Sequence, residues 1–222
     1  MANTIERALE TVRAVGRGEE ESHIRLYRPA AALAFGRRDQ LNPGFEEAAQ
    51  LAQAHGFEPL VRRVGGRAAA YHRGCLVIDH FQHDPDAVSG NHLRYRQFGD
   101  LLAQALETLG VEAGLGEIAG EYCPGEYSVW GQLANGKKVK LVGTAQRVVA
   151  GAWWFSAGIV VQDSAPLRAV TRDVYQALEL PLDPATVGAV QDIEPLVTVD
   201  DVEDALLDAY EKGGFSCVAA TP

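Results

Sequence analysis

Asn135-Gly136 lies between two β-prone runs, YSVWGQL and KKVKLVGTAQRVV. A tight hairpin turn needs positive φ at its centre, which Asn-Gly supplies with little strain, so this dipeptide commits its flanking runs to antiparallel pairing. A chain with such a hairpin in its middle builds sheets from strands adjacent in sequence, which disfavours a doubly wound parallel fold. Further strands are expected at HIRLYRP (23–29) and AALAFGRR (31–38), broken by Pro29, at EPLVRR, and at AWWFSAGIVVQD (152–163). RAAAYHRGCLVIDHF (67–81) reads as two strands with Arg73-Gly74 at the bend. Helical spacing of apolar residues marks 4–15, with Ile5, Ala8, Leu9, Val12 and Val15 on one face, and also 44–56, 92–110 and 165–178. A last helix is expected from near Asp200, where Asp200 and Glu203 resemble a capping box, to just before Gly213-Gly214. QHDPDAVSGN (82–91) and LPLDPATVGAVQDIEP (180–195) have loop composition. The expected class is α+β, a mixed, largely antiparallel sheet with flanking helices. With no repeat, low-complexity tract or linker, residues 1–222 are expected to form a single domain.

At 47% hydrophobic and 23% charged, 222 residues can bury one substantial core. The N-terminus is amphipathic rather than basic-then-apolar, and no apolar run approaches the ~20 residues of a membrane span, so a cytoplasmic protein is expected. A net charge of −10 argues against nucleic acid, whose binding rests on a basic face. The basic residues cluster nevertheless, at Arg62, Arg63, Arg67 and Arg73 and at Lys137, Lys138, Lys140 and Arg147, which suits an acidic protein partner or an anionic ligand. Cys75, Cys123 and Cys217 are far apart and lack C-x-x-C spacing, so no disulfide framework or metal site is implied. Cys75 reads as a small buried hydrophobe and Cys217 belongs to the C-terminal tail.

Two stretches carry chemistry. In VRRVGGRAAAYHRG (61–74), paired glycines let the backbone approach a ligand and turn successive N–H groups toward it. Arg62, Arg63, Arg67 and His72 flank the pair; extended backbone sends Arg62 and Arg63 to opposite faces, so one of them at most reaches the ligand. In GEYCPGEYSVW (120–130), Cys123 precedes a Pro-Gly turn. A thiol becomes a nucleophile when nearby positive charge favours its thiolate, and Lys140, sharing a strand face with Lys138, is the candidate. Trp153, Trp154 and Phe155 alternate across a strand, so core packing accounts for them, with one available to roof a site.

RRVGGRAAAYH resembles the arginine-pair, glycine-rich, Tyr-His signature of the lipoate-protein ligase and octanoyltransferase family, and KLVGTAQR is similar to that family's lysine-glycine-alanine-glutamine-arginine signature. Order and separation extend the resemblance over roughly residues 20 to 165. The resemblance implies the biotin/lipoate protein ligase fold, which is class II synthetase-like, wrapped around a medium-chain acyl group. It implies a substrate site from Arg62, Gly65, Gly66, Arg67, Ala68, His72, Gly143 and Ala145, with Ala69 and Ala70 also small enough to line an acyl tunnel. Lys140 matches the lysine that holds the acyl carbonyl. EYCPGEYS (121–128) looks like the branch that moves an octanoyl group from the glycine-cleavage H-protein to other lipoyl domains through a cysteine thioester, with Cys123 in the nucleophile's place. The partners implied are lipoyl-domain proteins (2-oxoacid dehydrogenase E2, H-protein) or acyl carrier protein. No cofactor is implied, the octanoyl or lipoyl group being substrate.

Two departures stand out. Arg67 occupies a place where the ligases keep a glycine beside the acyl-adenylate, and the chain has no expected C-terminal accessory domain. Three readings remain: a cysteine-dependent octanoyl or lipoyl transferase, an ATP- and Mg-dependent lipoate-protein ligase with or without a partner subunit, and a non-catalytic acyl or lipoyl-domain binding protein.

Overall fold

The computed structural model describes residues 2–62 and 64–215, with side chains from residue 7 onward; Arg63 and Cys217 lie outside the described residues. The elements are α1 (Ala2–Gly16), β1 (His23–Tyr27), β2 (Ala32–Phe35), α2 (Arg37–Gln40), α3 (Phe45–Ala54), β3 (Glu58–Val61), β4 (Ala69–Tyr71), β5 (Cys75–His83), α4 (Asn91–Glu107), β6 (Ala113–Leu115), β7 (Val129–Gln132), β8 (Lys138–Val149), β9 (Ala152–Val160), α5 (Ser164–Ala177) and α6 (Val199–Lys212). Six strands form one sheet in the order β1-β5-β9-β8-β7-β6, with every neighbour antiparallel. A smaller sheet has the order β3-β2-β4, β2 running parallel to β3 and antiparallel to β4. The mixed, largely antiparallel α+β class expected from the hairpin is the class observed.

The hairpins follow from their turns. Gly136, at φ +79°, donates its N–H to Leu133 O (2.8 Å) and joins β7 to β8; Gly151, at φ +80°, joins β8 to β9. Alternation then splits the strand residues between two faces. Leu76, Ile78, Phe155 and Ile159 pack against Phe98 and Leu102 of α4 and Leu206 of α6. Burying each such side chain contributes about 1.5–3 kcal/mol. On the opposite face Val12 and Val15 of α1 cover Phe81 and Trp154. The small sheet, with α3 and α5, carries its own core through Leu33, Phe35, Ala52, Val170 and Val174.

Two local readings are corrected, at residues 37–40 and at the cap of the last helix. The two strands expected at 67–81 are present, with the bend at residues 72–74, and they belong to different sheets: β4 pairs with β2 in the small sheet and β5 with β1 and β9 in the large one. The bend at 72–74 carries the chain between sheets, because the long apolar β5 needs a strand on each side and β4 is too short to supply one. Residues 37–40 turn helical instead of prolonging β2, since the buried Asp39 carboxylate accepts from Gly36 N–H (2.9 Å) at the start of the turn. The short β6 pairs with β7 and has no clear pattern of its own. The last helix is capped by Thr198, whose Oγ1 accepts from Asp201 N–H (3.2 Å) while Asp201 accepts from Thr198 N–H (2.8 Å). Asp200 and Glu203 instead face Arg28 across the structure. No helix among the described residues is long and apolar enough to cross a membrane.

Candidate active site

A cavity of about 360 Å³ lies between the open face of the large sheet and the small sheet. Its floor comes from β8, β9, β5 and β1, and the glycine-rich loop and the Cys123 turn stand at its edge. Arg62, Gly65, Gly66, Cys123, Lys140, Gly143 and Ala145 all line it, so residues up to 83 positions apart in sequence meet here.

Cys123 is held in the left-handed region, at φ +43°, which a residue with a Cβ adopts at a cost of about 1–3 kcal/mol unless its surroundings enforce it. Three contacts enforce it. Cys123 N–H donates to the Tyr175 hydroxyl (2.6 Å), and that hydroxyl donates onward to Ala68 O (2.9 Å), tying the turn to the glycine-rich loop through α5. Lys140 Nζ donates to Cys123 O (2.8 Å) and Tyr122 O (3.0 Å). The remaining direction of Nζ faces Glu121 Oε2 at 3.4 Å, while Glu121 Oε1 accepts from Gly125 N–H (3.0 Å) and Ser128 Oγ (2.9 Å). Glu121 and Lys140 are 2% and 1% exposed, so the pair is a buried ionic hub around which the Pro-Gly turn is wrapped.

The sulfur sits among donors. Arg67 N–H points at Sγ from 3.1 Å and Arg62 Nη2 from 3.3 Å, and Arg62 also donates to Arg67 O. Burial pushes the Cys123 thiol up, but the Arg62 and Lys140 charges and the Arg67 N–H outweigh it and bring the pKa below that of an ordinary thiol. Burial in turn lowers Lys140, and Glu121 and Cys123 recover only part of that. Burial also works against the Arg62 charge, yet Cys123 and Tyr71 raise its pKa overall. Cys75 has no such company, and burial drives its pKa to about 12, an inert thiol.

A β-bulge aims Lys140. Val129 faces Val142 across the ladder, but Trp130 faces Lys140, so Leu141 is an extra residue on β8. Leu141 and Val142 consequently both enter the large core, and Lys140 emerges on the same face as Gly143, where a Cβ would lie 3.6 Å from Lys140 Cε. Lys138, on the exposed side of the hairpin end, places its ammonium 3.3 Å from the Trp130 ring centroid.

The remaining expected residues divide. Gly66 has φ +106°, and a Cβ there would lie 2.8 Å from Cys123 Sγ, so glycine is required where loop and thiol meet. Arg67 reaches the thiol by its backbone only; its guanidinium turns away to the fully buried Asp39 (3.0 Å). Ala68 is buried beneath the loop and contributes its carbonyl to Tyr175, not a wall to the cavity; of the alanine run, Ala69 lines the cavity. His72 is corrected: it does not line the cavity. Its Nδ1 accepts from Gly74 N–H (2.8 Å) and its Nε2 donates to Asp163 O (2.9 Å), so the imidazole is spent on the bend between the two sheets. Trp153, Trp154 and Phe155 are all core residues and none roofs the site. Tyr175, Glu121 and Asp39 went unnoticed in the sequence. Tyr175 repeats the apolar spacing of α5 and reads there as core; only Glu121, inside EYCPGEYS, had a local signal.

A family model described as the lipoyl protein ligase A/B catalytic domain matches residues 4–211. The chain belongs to that family. Among curated relatives, an octanoyl-[GcvH]:protein N-octanoyltransferase of Geobacillus kaustophilus is 30% identical over 156 residues, covering 70% of this chain and 53% of the relative. One of the same name from Bacillus velezensis is 28% identical over 182 residues, covering 82% and 62%. The chain thus spans between about half and three-fifths of the length of these relatives. Among solved structures, lipoate-protein ligase A bound with ATP superposes with a TM-score of 0.68 at 20% identity, covering 96% of this chain and 83% of that one. The bipartite lipoate protein ligase of Thermoplasma acidophilum, studied with its E2 lipoyl domain, gives 0.67 at 19% identity, with coverage of 99% and 84%. These likenesses establish the family's fold across the whole described chain.

Proposed function

We propose that this chain transfers an octanoyl or lipoyl group to a lysine of lipoyl domains through a thioester on Cys123. The observation that carries the reading is the thiol itself, lowered in pKa, at the edge of a cavity and aimed at by Arg62 and Arg67 N–H. The relatives are named for an octanoyl-[GcvH] donor, and a ligase of similar fold was studied with its E2 lipoyl domain; the donor is read as octanoylated H-protein, with acyl carrier protein as the other candidate, and the acceptor as a 2-oxoacid dehydrogenase E2 domain. The thiolate attacks the carbonyl of the donor's octanoyl-lysine amide; the C–N bond breaks, the lysine leaves as an amine with a proton taken from water, and the acyl group stays on sulfur. The acceptor's neutral lysine amine then attacks the thioester, its C–N bond forms as the C–S bond breaks, the nitrogen returns one proton to water and the thiolate is regenerated. One lysine amide replaces another and the thioester retains the acyl energy between the steps, so ATP is not required.

Each residue has a task in this scheme. Arg62 and the Arg67 N–H hold the thiolate before attack and lie beside the negative charge that develops on the carbonyl oxygen. Lys140 keeps the nucleophile's turn in place through Cys123 O and Tyr122 O and adds a buried positive charge beneath the reacting carbonyl. Gly143, Ala145 and Ala69 leave the floor free for an apolar tail.

The decisive experiment mixes the protein with octanoylated H-protein, and separately with octanoyl carrier protein, without ATP, and reads intact mass. A hydroxylamine-labile octanoyl adduct that disappears in Cys123→Ser is the expected result. No adduct with either donor, together with lipoyl-AMP formation from lipoate and ATP, would overturn the proposal in favour of a ligase.

A further inference from the structure

The cavity floor is ordered by the ladder. Gly143 on β8 is directly opposite Gly158 on β9, Gly158 is opposite Val77 on β5, and Val77 is opposite Tyr27 on β1; all four line the cavity. They form a single row running away from the Cys123 and Lys140 end, one residue per strand. The two positions nearest the thiol have no side chain, and the two farthest have progressively larger ones.

The glycines differ in what stands over them. At Gly143 a Cβ would meet only Lys140 Cε at 3.6 Å, so the floor is open. At Gly158 a Cβ would lie 2.5 Å from Tyr71 Cε1 and 3.2 Å from its hydroxyl. Tyr71, arriving from β4 of the small sheet, is therefore seated directly on the sheet at Gly158, and only a glycine there admits its ring. The ring stands one strand spacing, about 5 Å, beyond Gly143. An acyl tail entering along the row from the Cys123 end meets it there.

We propose that Tyr71, seated on Gly158, is the stop of an acyl-length gauge that selects octanoyl over longer chains, with Val77 and Tyr27 enclosing the space behind it. The proposal rests on reading the cavity as the acyl site, and it names a specificity device that the transfer chemistry does not require. Its two members act in opposite directions. Removing the ring in Tyr71→Ala opens the row as far as Tyr27 and admits a longer tail. Adding a methyl in Gly158→Ala pushes the ring up into the tunnel and shortens it.

The test uses two readouts, so that failure of the gauge and failure of the transfer reading separate. In the first, H-protein acylated with hexanoyl, octanoyl, decanoyl or dodecanoyl groups is offered in equimolar mixture, and the adduct masses are compared. In the second, the corresponding free carboxylates are titrated calorimetrically into the Cys123→Ser variant, where no thioester forms. Octanoyl is expected to dominate both. Tyr71→Ala is expected to move the maximum to decanoyl or beyond and to raise the decanoyl-to-octanoyl ratio about tenfold, as two further methylenes become buried. Gly158→Ala is expected to move the maximum toward hexanoyl. Because the added methyl, 2.5 Å from the Tyr71 ring, also strains β9, the Tyr71→Ala result decides. A maximum that stays at octanoyl in Tyr71→Ala, or a parent that takes dodecanoyl as readily as octanoyl, overturns the gauge. Adducts on Cys123 without chain preference overturn the gauge and leave the transfer reading standing. Carboxylate binding that peaks at octanoate with no adduct from any donor supports the gauge while the transfer reading fails.

Discussion

Tyr175→Phe removes one oxygen, and the structure says what that oxygen holds. The hydroxyl accepts from Cys123 N–H (2.6 Å) and donates to Ala68 O (2.9 Å), and Tyr175 is only 2% exposed, so water cannot readily replace it. Phenylalanine fills the same space and leaves a buried N–H and a buried carbonyl without partners. Each costs about 1–3 kcal/mol, and the pair, with some relaxation, about 2–5 kcal/mol. For a domain of this size each kcal/mol moves Tm by about 2–4 °C, so a fall of roughly 5–15 °C is expected in a thermal unfolding scan. A second effect follows at the thiol. Cys123 at φ +43° loses one of the contacts that hold it in the left-handed region and relaxes, and Sγ withdraws from the Arg67 N–H at 3.1 Å. Burial, which pushes the thiol pKa up, then meets less opposition. The pH midpoint of iodoacetamide alkylation at Cys123 should rise above that of the parent. The reasoning is refuted if Tyr175→Phe melts with the parent and alkylates with the same pH profile, since the hydroxyl would then be holding nothing.

Arg62→Met removes the charge that most strongly favours the Cys123 thiolate, so the alkylation midpoint should shift to higher pH and octanoyl-adduct formation should fall most at neutral pH and recover as pH rises. Glu121→Gln and Lys140→Met each leave a buried charge without its partner, and each should cost about 3–5 kcal/mol in urea unfolding, while the double variant should lie closer to the parent than the sum of the two. His80 is buried among Phe98, Trp153, Tyr210 and Phe215, and burial lowers its pKa from 6.5 to about 4. Because the folded state holds this imidazole neutral, its contribution to stability is complete above pH 6.5 and is lost as pH falls toward about 4. Urea midpoints measured across that window should drop for the parent and less steeply for His80→Phe.

Local chemistry in the sequence determined the elements of this protein and the candidates for its site. Asn135-Gly136 specified a hairpin because backbone preference at a turn is a property of the residues in it, and the helical and alternating apolar patterns specified α1, α3, α4, α5, β5 and β9 for the same reason. Cys123, Lys140, Arg62 and the Gly65-Gly66 pair were legible as residue types that make a nucleophile, a charge and a close backbone approach. Tertiary structure decided the rest, because it depends on register between segments far apart. A single extra residue at Leu141 turns Lys140 to the side of Gly143, and no pattern within β8 announces it. Sheet membership separated β4 from β5 and spent His72 on the bend between them. Tyr175, 52 residues beyond the thiol, looked like core until the packing of α5 put its hydroxyl beneath Cys123. Gly143, Gly158, Val77 and Tyr27 likewise form a row only through three strand pairings, since a strand's own sequence sets which residues share a face and the ladder alone sets which of them stand side by side.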